Sequence, residues 1–363
     1  MRIALRELWR RPGRFAVAGS ALTLLVVLLL LLGGLLDGLY LGSTGLYRQQ
    51  QSELLVYSAD SSESLVRSRI DGELRSTVED VDGVDATHGI GVALVGFRAV
   101  DGELGDATVI GYEGAIAGVP EPPGPGEAFA DRRLEAVGVE VGDTVEVGPE
   151  QVPVTVVGWV EDLAYLLQGG LLVEPGTWRE VLARSRPDAA LPDGAFQALA
   201  VEVDGGDPSM VAANIDDATG GATSTLTVDA AIDAMPGVTE QSTTFNQIIT
   251  VTFVVAGLVV ALFFAFVTIE RTAQYGVLKA IGSSSGQIFA GLVVQAVVVT
   301  AGAFVLGGVI SLGLAQVVPP DIPLLLEPSR AAFVAVGMLV TALVGGSITL
   351  RRVIRIDPAA AIS

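Results

Sequence analysis

Four apolar runs, at about 15–36, 248–269, 288–312 and 331–350, constrain this 363-residue chain more than any other feature. A helix rises about 1.5 Å per residue, so a run of about 20 residues spans a hydrocarbon core of about 30 Å. In lipid the backbone must satisfy its own hydrogen bonds, which makes each run a helix. One run precedes, and three follow, a segment at 42–245 that has none of comparable length. The expected fold is an α-helical membrane protein with four transmembrane helices in a 1+3 arrangement and an extracytoplasmic α+β domain between the first two. The first run resembles a secretory signal, but its apolar core is too long and residues 35–40 offer no small-x-small cleavage site. It is read as a retained helix.

Charge sets the orientation. Residues 42–245 carry 35 Asp/Glu against 10 Lys/Arg, while the remainder carries 6 against 11. The basic residues of the remainder flank the runs: Arg2, Arg6, Arg10, Arg11 and Arg14 before the first, Arg271 and Lys279 between the second and third, and Arg351, Arg352 and Arg355 after the fourth. Arg330 alone falls elsewhere. Short basic loops stay inside, so both termini and the 270–286 connector are expected in the cytoplasm and the acidic segment outside. Expected boundaries are an amphipathic N-terminal helix at 1–14, the first crossing at 15–41, the outer domain with its stalk at 42–245, crossings two to four at 246–350, and a cytoplasmic tail at 351–363. A single lysine among 21 basic residues points to a high-GC or salt-adapted prokaryote, and so to its cell membrane.

Within the outer segment, Val66, Ile70, Leu74 and Val78 recur every fourth residue, which predicts a helix over 64–81. Residues 144–147 and 151–156 alternate polar and apolar around Gly148-Pro149-Glu150, a hairpin pattern. Residues 198–203 read as a strand. Asp207-Pro208 opens a helix through Ala218, proline being harmless at the first helical position. Thr239 to Gln247 is expected to extend the second crossing outward as a stalk.

Several chemistries are excluded or weak. With no cysteine, thiol catalysis and thiolate metal sites are out. No GxxxxGK(S/T) cradle for phosphates occurs, so ATP hydrolysis by that route would need a separate protein. The net −25 of the outer segment argues against nucleic acid as a partner. His88 stands alone beside Gly89 and reads as a surface or turn residue; the outer carboxylates lack metal-loop spacing. No cofactor is expected in this chain. The crossings hold almost no ionisable group. Asp37, near the outer end of the first, is either a solvated helix end or part of substrate handling or gating. Gly34, Gly38 and Gly42 line one helical face, a pattern that lets membrane helices approach closely. Read functionally, they form a homodimer seam; read blandly, they reflect a chain with 44 glycines.

The connector ERTAQYGVLKAIG at 270–282 is charged, helix-prone and bounded by Gly282. Ala273, Val277, Ala280 and Ile281 can share an apolar side, which suits either insertion into a groove of a cytoplasmic partner or contact with lipid headgroups alone.

The connector and the third run behind it resemble the FtsX/MacB-type ABC transporter permease family, whose connector opens E-R-x-x-E and closes on a G-x-L-x-A-x-G pattern. RRVIRIDPAAAIS at the C-terminus is similar to that family's arginine-rich ending, LRELWRRPGRFAVAGSALTLLV to its first crossing, and DTVEVGPEQVPVTVVGWVED to a strand pair of its MacB-like outer domain. Length and a single outer domain resemble the DevC-like and HrtB-like members. The resemblance implies a permease half that pairs with a second copy and with two separately encoded ATPases carrying ATP and magnesium. In this family nucleotide-driven closure moves the outer domains, a mechanotransmission mode of efflux. Glu270, Arg271, Tyr275, Gly276, Leu278, Lys279 and Gly282 match its ATPase-facing connector. Gln274 and Gln295 depart from it, standing where the family often has glutamate. The resemblance also allows an FtsX-like regulatory permease that moves no substrate. A membrane-anchored binding or sensor protein is the reading outside the family.

Overall fold

The computed structural model describes residues 12–100, 102–270, 274, 276, 277, 281–319 and 322–354. In chain order the elements are α1 (Pro12–Gln49), β1 (Leu54–Ser58), α2 (Gly72–Glu79), β2 (Val84–Arg98), β3 (Leu104–Tyr112), β4 (Glu127–Asp131), β5 (Thr144–Val147), β6 (Val152–Val160), β7 (Gly169–Val173), α3 (Pro175–Ser185), β8 (Ala198–Val203), α4 (Pro208–Ala218), β9 (Thr223–Thr227), α5 (Val228–Ala234), α6 (Val238–Glu270), α7 (Ser285–Ala315) and α8 (Pro328–Ile354). The chain divides into two compact units, residues 1–38 with 242–363, and residues 39–241.

The first unit is helical. Among the described residues four helices are long and apolar enough to cross a membrane: Ala16–Gln49, Val238–Glu270, Ser285–Ala315 and Pro328–Gly345. All four contribute to one core, with Leu22, Val26 and Leu29 meeting Ala256, Val260, Ala296, Val299, Val334, Met338 and Ala342. Close approach is made at glycines. A Cβ at Gly307 would press on Val26 and the Thr23 carbonyl, one at Gly345 on the Gly257 carbonyl, and one at Gly337 on Phe253. α7 starts at a capping box in which Ser284 and Gln287 each take the other's backbone N–H, satisfying donors that would otherwise be orphaned. α6 begins at Val238, so the 239–247 stretch does continue the second long helix.

The second unit is built on one nine-stranded sheet in the order β3-β7-β4-β6-β5-β2-β8-β1-β9, with β3 also paired to β2. That extra pairing closes β2, β3, β7, β4, β6 and β5 into a ring. β2 can serve both parts because it is 15 residues long. Its 90–98 half pairs with β3 and its 84–90 half with β8. The ring is filled by Val109, Ala128, Val145, Val154, Leu171 and Trp178. Gly91 and Gly111 face each other across the β2–β3 ladder, and a Cβ at either would enter the Trp178 ring. The two glycines thus make the notch that seats α3, with Trp178 stacked on Phe196 at 5.7 Å.

The 144–156 hairpin is present, with Val147 opposite Val152, as are the β8 strand and the α4 helix, whose Asp207 cap accepts from the Ser209 N–H at 3.0 Å. The 64–81 helix is corrected. Only Gly72–Glu79 is helical. Ile70 instead forms a bridge with Phe196, and Asp71 caps the helix by accepting from the Leu74 N–H at 2.9 Å. Four-residue spacing before the cap thus reflects burial in a sheet-like contact rather than a helical stripe. Of the two expectations for His88, the turn is corrected: it lies within β2 opposite Ala200, with its side chain partly exposed.

Candidate functional site

Three places on this framework gather the residues singled out above. The connector follows α6, which ends at Glu270. Gln274, Gly276 and Val277 are helical, Gly276 being buried and Gln274 exposed. Val277 and Ile281, joined by an Ile281 N–H bond to the Val277 carbonyl at 3.0 Å, present two exposed aliphatic side chains four residues apart. Gly282 stops this turn with φ at +103°, a conformation that favours glycine. Arg271, Tyr275, Leu278 and Lys279 lie outside the described residues, as do the N-terminal segment through residue 11 and the tail from residue 355.

The second place is the face of α1 that carries Gly33, Gly34 and Gly38. Arg330, near the start of α8, sits on it. Its Nε donates to Asp37 Oδ2 at 2.9 Å and its Nη2 pairs with Oδ1. The two charges that stood out in the sequence are therefore partners, a pairing invisible to sequence reasoning because 293 residues separate them. Asp37 is neither a solvated helix end nor alone. Leu325 N–H donates to the Gly34 carbonyl at 3.0 Å, and a Cβ on Gly38 would collide with the Pro323 carbonyl. The glycines at 34 and 38 thus face this chain's own 323–325 segment. A homodimer seam on these two glycines would require the 323–325 segment to move away from them.

The third place lies in the second unit, where the end of α1 is embedded. Leu46 and Tyr47 are buried, and a loop at 161–168 wraps them. Leu46 N–H donates to the Ala164 carbonyl at 3.0 Å and Leu167 N–H to the Gly42 carbonyl at 2.9 Å. Arg48 pairs with Asp162 at 2.5 Å. Gly42 meets Leu167 and Arg133, again within the chain, and Gly45 lies against Asp162 and Ala164 backbone. The loop holds Asp162, Leu166 and Leu167 at positive φ, conformations that cost non-glycine residues about 1 kcal/mol or more. Buried Asp131 pins it, accepting from the Leu163 N–H at 2.5 Å and the Arg133 N–H at 2.8 Å. Burial raises the Asp131 pKa. It raises Tyr57 as well, whose hydroxyl lies 2.9 Å from that of Tyr47. Sequence reasoning missed this collar because its contacts join distant segments and leave no local period.

No group of three or more His, Asp or Glu is placed to hold a metal among the described residues. His88 Nε2 is 3.1 Å from Glu202 Oε1 and the ring lies edge-on to Tyr112, whose pKa burial pushes up to about 12.

Comparison with known proteins bears on the helices. Residues 246–358 match the family model of the FtsX-like permease C-terminal domain. A Staphylococcus epidermidis protein named "Putative hemin transport system permease protein HrtB" is 26% identical over 138 residues, 38% of this chain and 39% of that one. An uncharacterized ABC transporter permease of Mycobacterium tuberculosis is 40% identical over 111 residues, 30% of this chain and 31% of the relative. The chain thus matches well under half the length of these relatives. Among solved structures, the periplasmic region of MacB from Actinobacillus actinomycetemcomitans aligns with 52% of this chain and 94% of its own, at 10% identity and a TM-score of 0.35. The extracellular domain of the transporter YknZ, from Gram-positive bacteria, aligns with 49% of this chain and 99% of its own, at 16% identity and a TM-score of 0.34. Over residues 246–358, with the connector and the last three long helices, the chain matches the FtsX-like permease domain and is similar to ABC transporter permeases.

Proposed function

We propose that this chain is the membrane subunit of an ATP-driven ABC transporter of the mechanotransmission type, exporting or extracting a lipophilic or amphipathic molecule. The observation that carries the reading is the permease match at 246–358, which includes a connector with exposed Val277 and Ile281. No phosphate-cradling motif occurs in the chain, so two separately encoded ATPases would bind ATP and magnesium and dock at Glu270, Arg271, Tyr275, Gly276, Leu278, Lys279 and Gly282. A second permease copy completes the assembly. The charge pattern supports a prokaryotic cytoplasmic side for both termini and the connector, and the opposite side for the acidic domain. A lipophilic cargo fits helices whose described apolar portions carry no charge beyond the Asp37–Arg330 pair.

A second reading, an FtsX-like permease that moves no cargo but drives an extracellular enzyme, is favoured by the burial of the end of α1 in the outer unit. The deciding experiment reconstitutes the permease with its ATPase in liposomes and measures ATP-dependent loss of a lipophilic panel. Hemin belongs in that panel because a relative carries that name. Loss of one compound is the expected result. ATP hydrolysis with no movement of any compound, stimulated instead by a bound hydrolase, would favour the second reading. An ATPase gene beside this one separates both from a membrane-anchored sensor.

A further inference from the structure

Residues 322–327, ahead of α8, run along α1 without forming helix or strand. Two kinds of contact hold this strap. One is the Leu325–Gly34 backbone bond with the close fit of Pro323 and Leu324 on Gly38 and Gly34. The other is the pair of Arg330 with Asp37 just behind the strap. An isolated charge is expensive at membrane depth, so each side chain of the pair needs the other.

Three observations mark this seam as movable rather than permanent. The paired side chains keep 22% and 19% exposure, so the pair is not sealed inside the core. Among the described residues a single backbone hydrogen bond joins strap to α1. Arg330 also lies 5.9 Å from the ring centroid of Phe333, one turn further along its own helix. That aromatic face would keep the guanidinium partnered after it left the carboxylate.

We propose that Asp37 and Arg330 form a latch. Closed, it holds the 322–327 strap on the glycine face of α1. Open, Arg330 turns to Phe333, the strap lifts, and the face at Gly33, Gly34 and Gly38 is bared to its surroundings. The place of this opening in a working cycle rests on the permease reading above; the latch itself does not.

The cysteine-free chain makes the test direct. Leu324→Cys replaces a strap side chain that packs on Gly34 and gives a single maleimide target in the full-length protein in phosphatidylglycerol–phosphatidylcholine vesicles. Labelling is expected to be slow in the otherwise native chain and about tenfold faster with Asp37→Ala or Arg330→Gln, as for a local opening made easier. It should slow again in the Asp37→Arg/Arg330→Asp exchange. Tryptophan-monitored unfolding confirms that each variant is folded. If the exchange does not fold, Arg330→Lys, which keeps the charge, replaces it and should label more slowly than Arg330→Gln. Equal rates in the native and Asp37→Ala chains overturn the latch. With the partner ATPase and ATP, labelling of the native pair should rise. Hydrolysis without that rise overturns the opening step. No hydrolysis at all counts against the permease reading and leaves the variant comparison to decide the latch.

Discussion

Gly45 sits inside a long helix, where alanine is ordinarily the better residue by about 1 kcal/mol. Here the sign should reverse, because a Cβ at Gly45 would run into the backbone of Asp162 and Ala164, which cannot swing aside. Gly45→Ala is expected to destabilise the 39–241 unit by about 1–3 kcal/mol. Urea unfolding followed by tryptophan fluorescence checks this, since Trp159 and Trp178 both lie in that unit; a stabilised variant would show that the collar does not grip there. Asp131 makes a pH prediction. Burial raises its pKa in the folded chain, so folding favours the protonated carboxyl. Its stabilising contribution is fully present below the unfolded value of about 3.9 and is lost as pH rises through the raised folded value. The native chain should therefore gain stability relative to Asp131→Asn as pH falls through that window. A difference independent of pH would contradict it. Neither residue announced itself in the sequence. Gly45 is one glycine among 44, and Asp131 one of many carboxylates whose burial depends on strands and loops brought together only by the fold.

At the scale of elements, legibility followed the period of the pattern. The long helices, the 144–156 hairpin, β8 and the Asp207-capped helix were readable because their signals are local: apolar run, alternation, cap. The ring of β2, β3, β7, β4, β6 and β5 was not, since its closure depends on which strands meet, and two of its pairings are parallel and so join segments far apart. The 64–70 stretch misled for a related reason: Val66 and Ile70 are held by tertiary contacts that happen to recur every four residues. In the connector the motif itself carried the reading; of its described residues, Val277 and Ile281 are exposed aliphatics and Gly282 supplies a glycine stop. Replacing Leu278 and Lys279 together with alanine should abolish co-purification of the ATPase while leaving membrane insertion unchanged. Such anchoring side chains typically carry a large share of binding energy, about 2 kcal/mol or more each at their centre. Undiminished association would mean that the connector is not the docking element.

For the whole molecule, the sheet has a property that the ring and its one open end share. Ring closure gives every ring strand a partner on both sides over part of its length, and the sheet order terminates at β9. There Asp216 accepts from the Thr225 N–H at 3.1 Å and from the hydroxyls of Thr223 and Thr225 at 2.9 and 2.7 Å. An open edge is a template for another strand, and this carboxylate takes the backbone donor of Thr225 at its centre. Asp216→Ala should make the protein associate with rising concentration, more so at high salt, where repulsion between strongly acidic domains is screened. Light scattering across a concentration series reads this, and a variant that stays disperse would remove Asp216 from the role. Proteins tethered to a membrane are confined to two dimensions, which raises their effective concentration toward one another. A terminal strand engaged by a side chain of its own chain would let neighbouring copies crowd one surface without joining sheet to sheet.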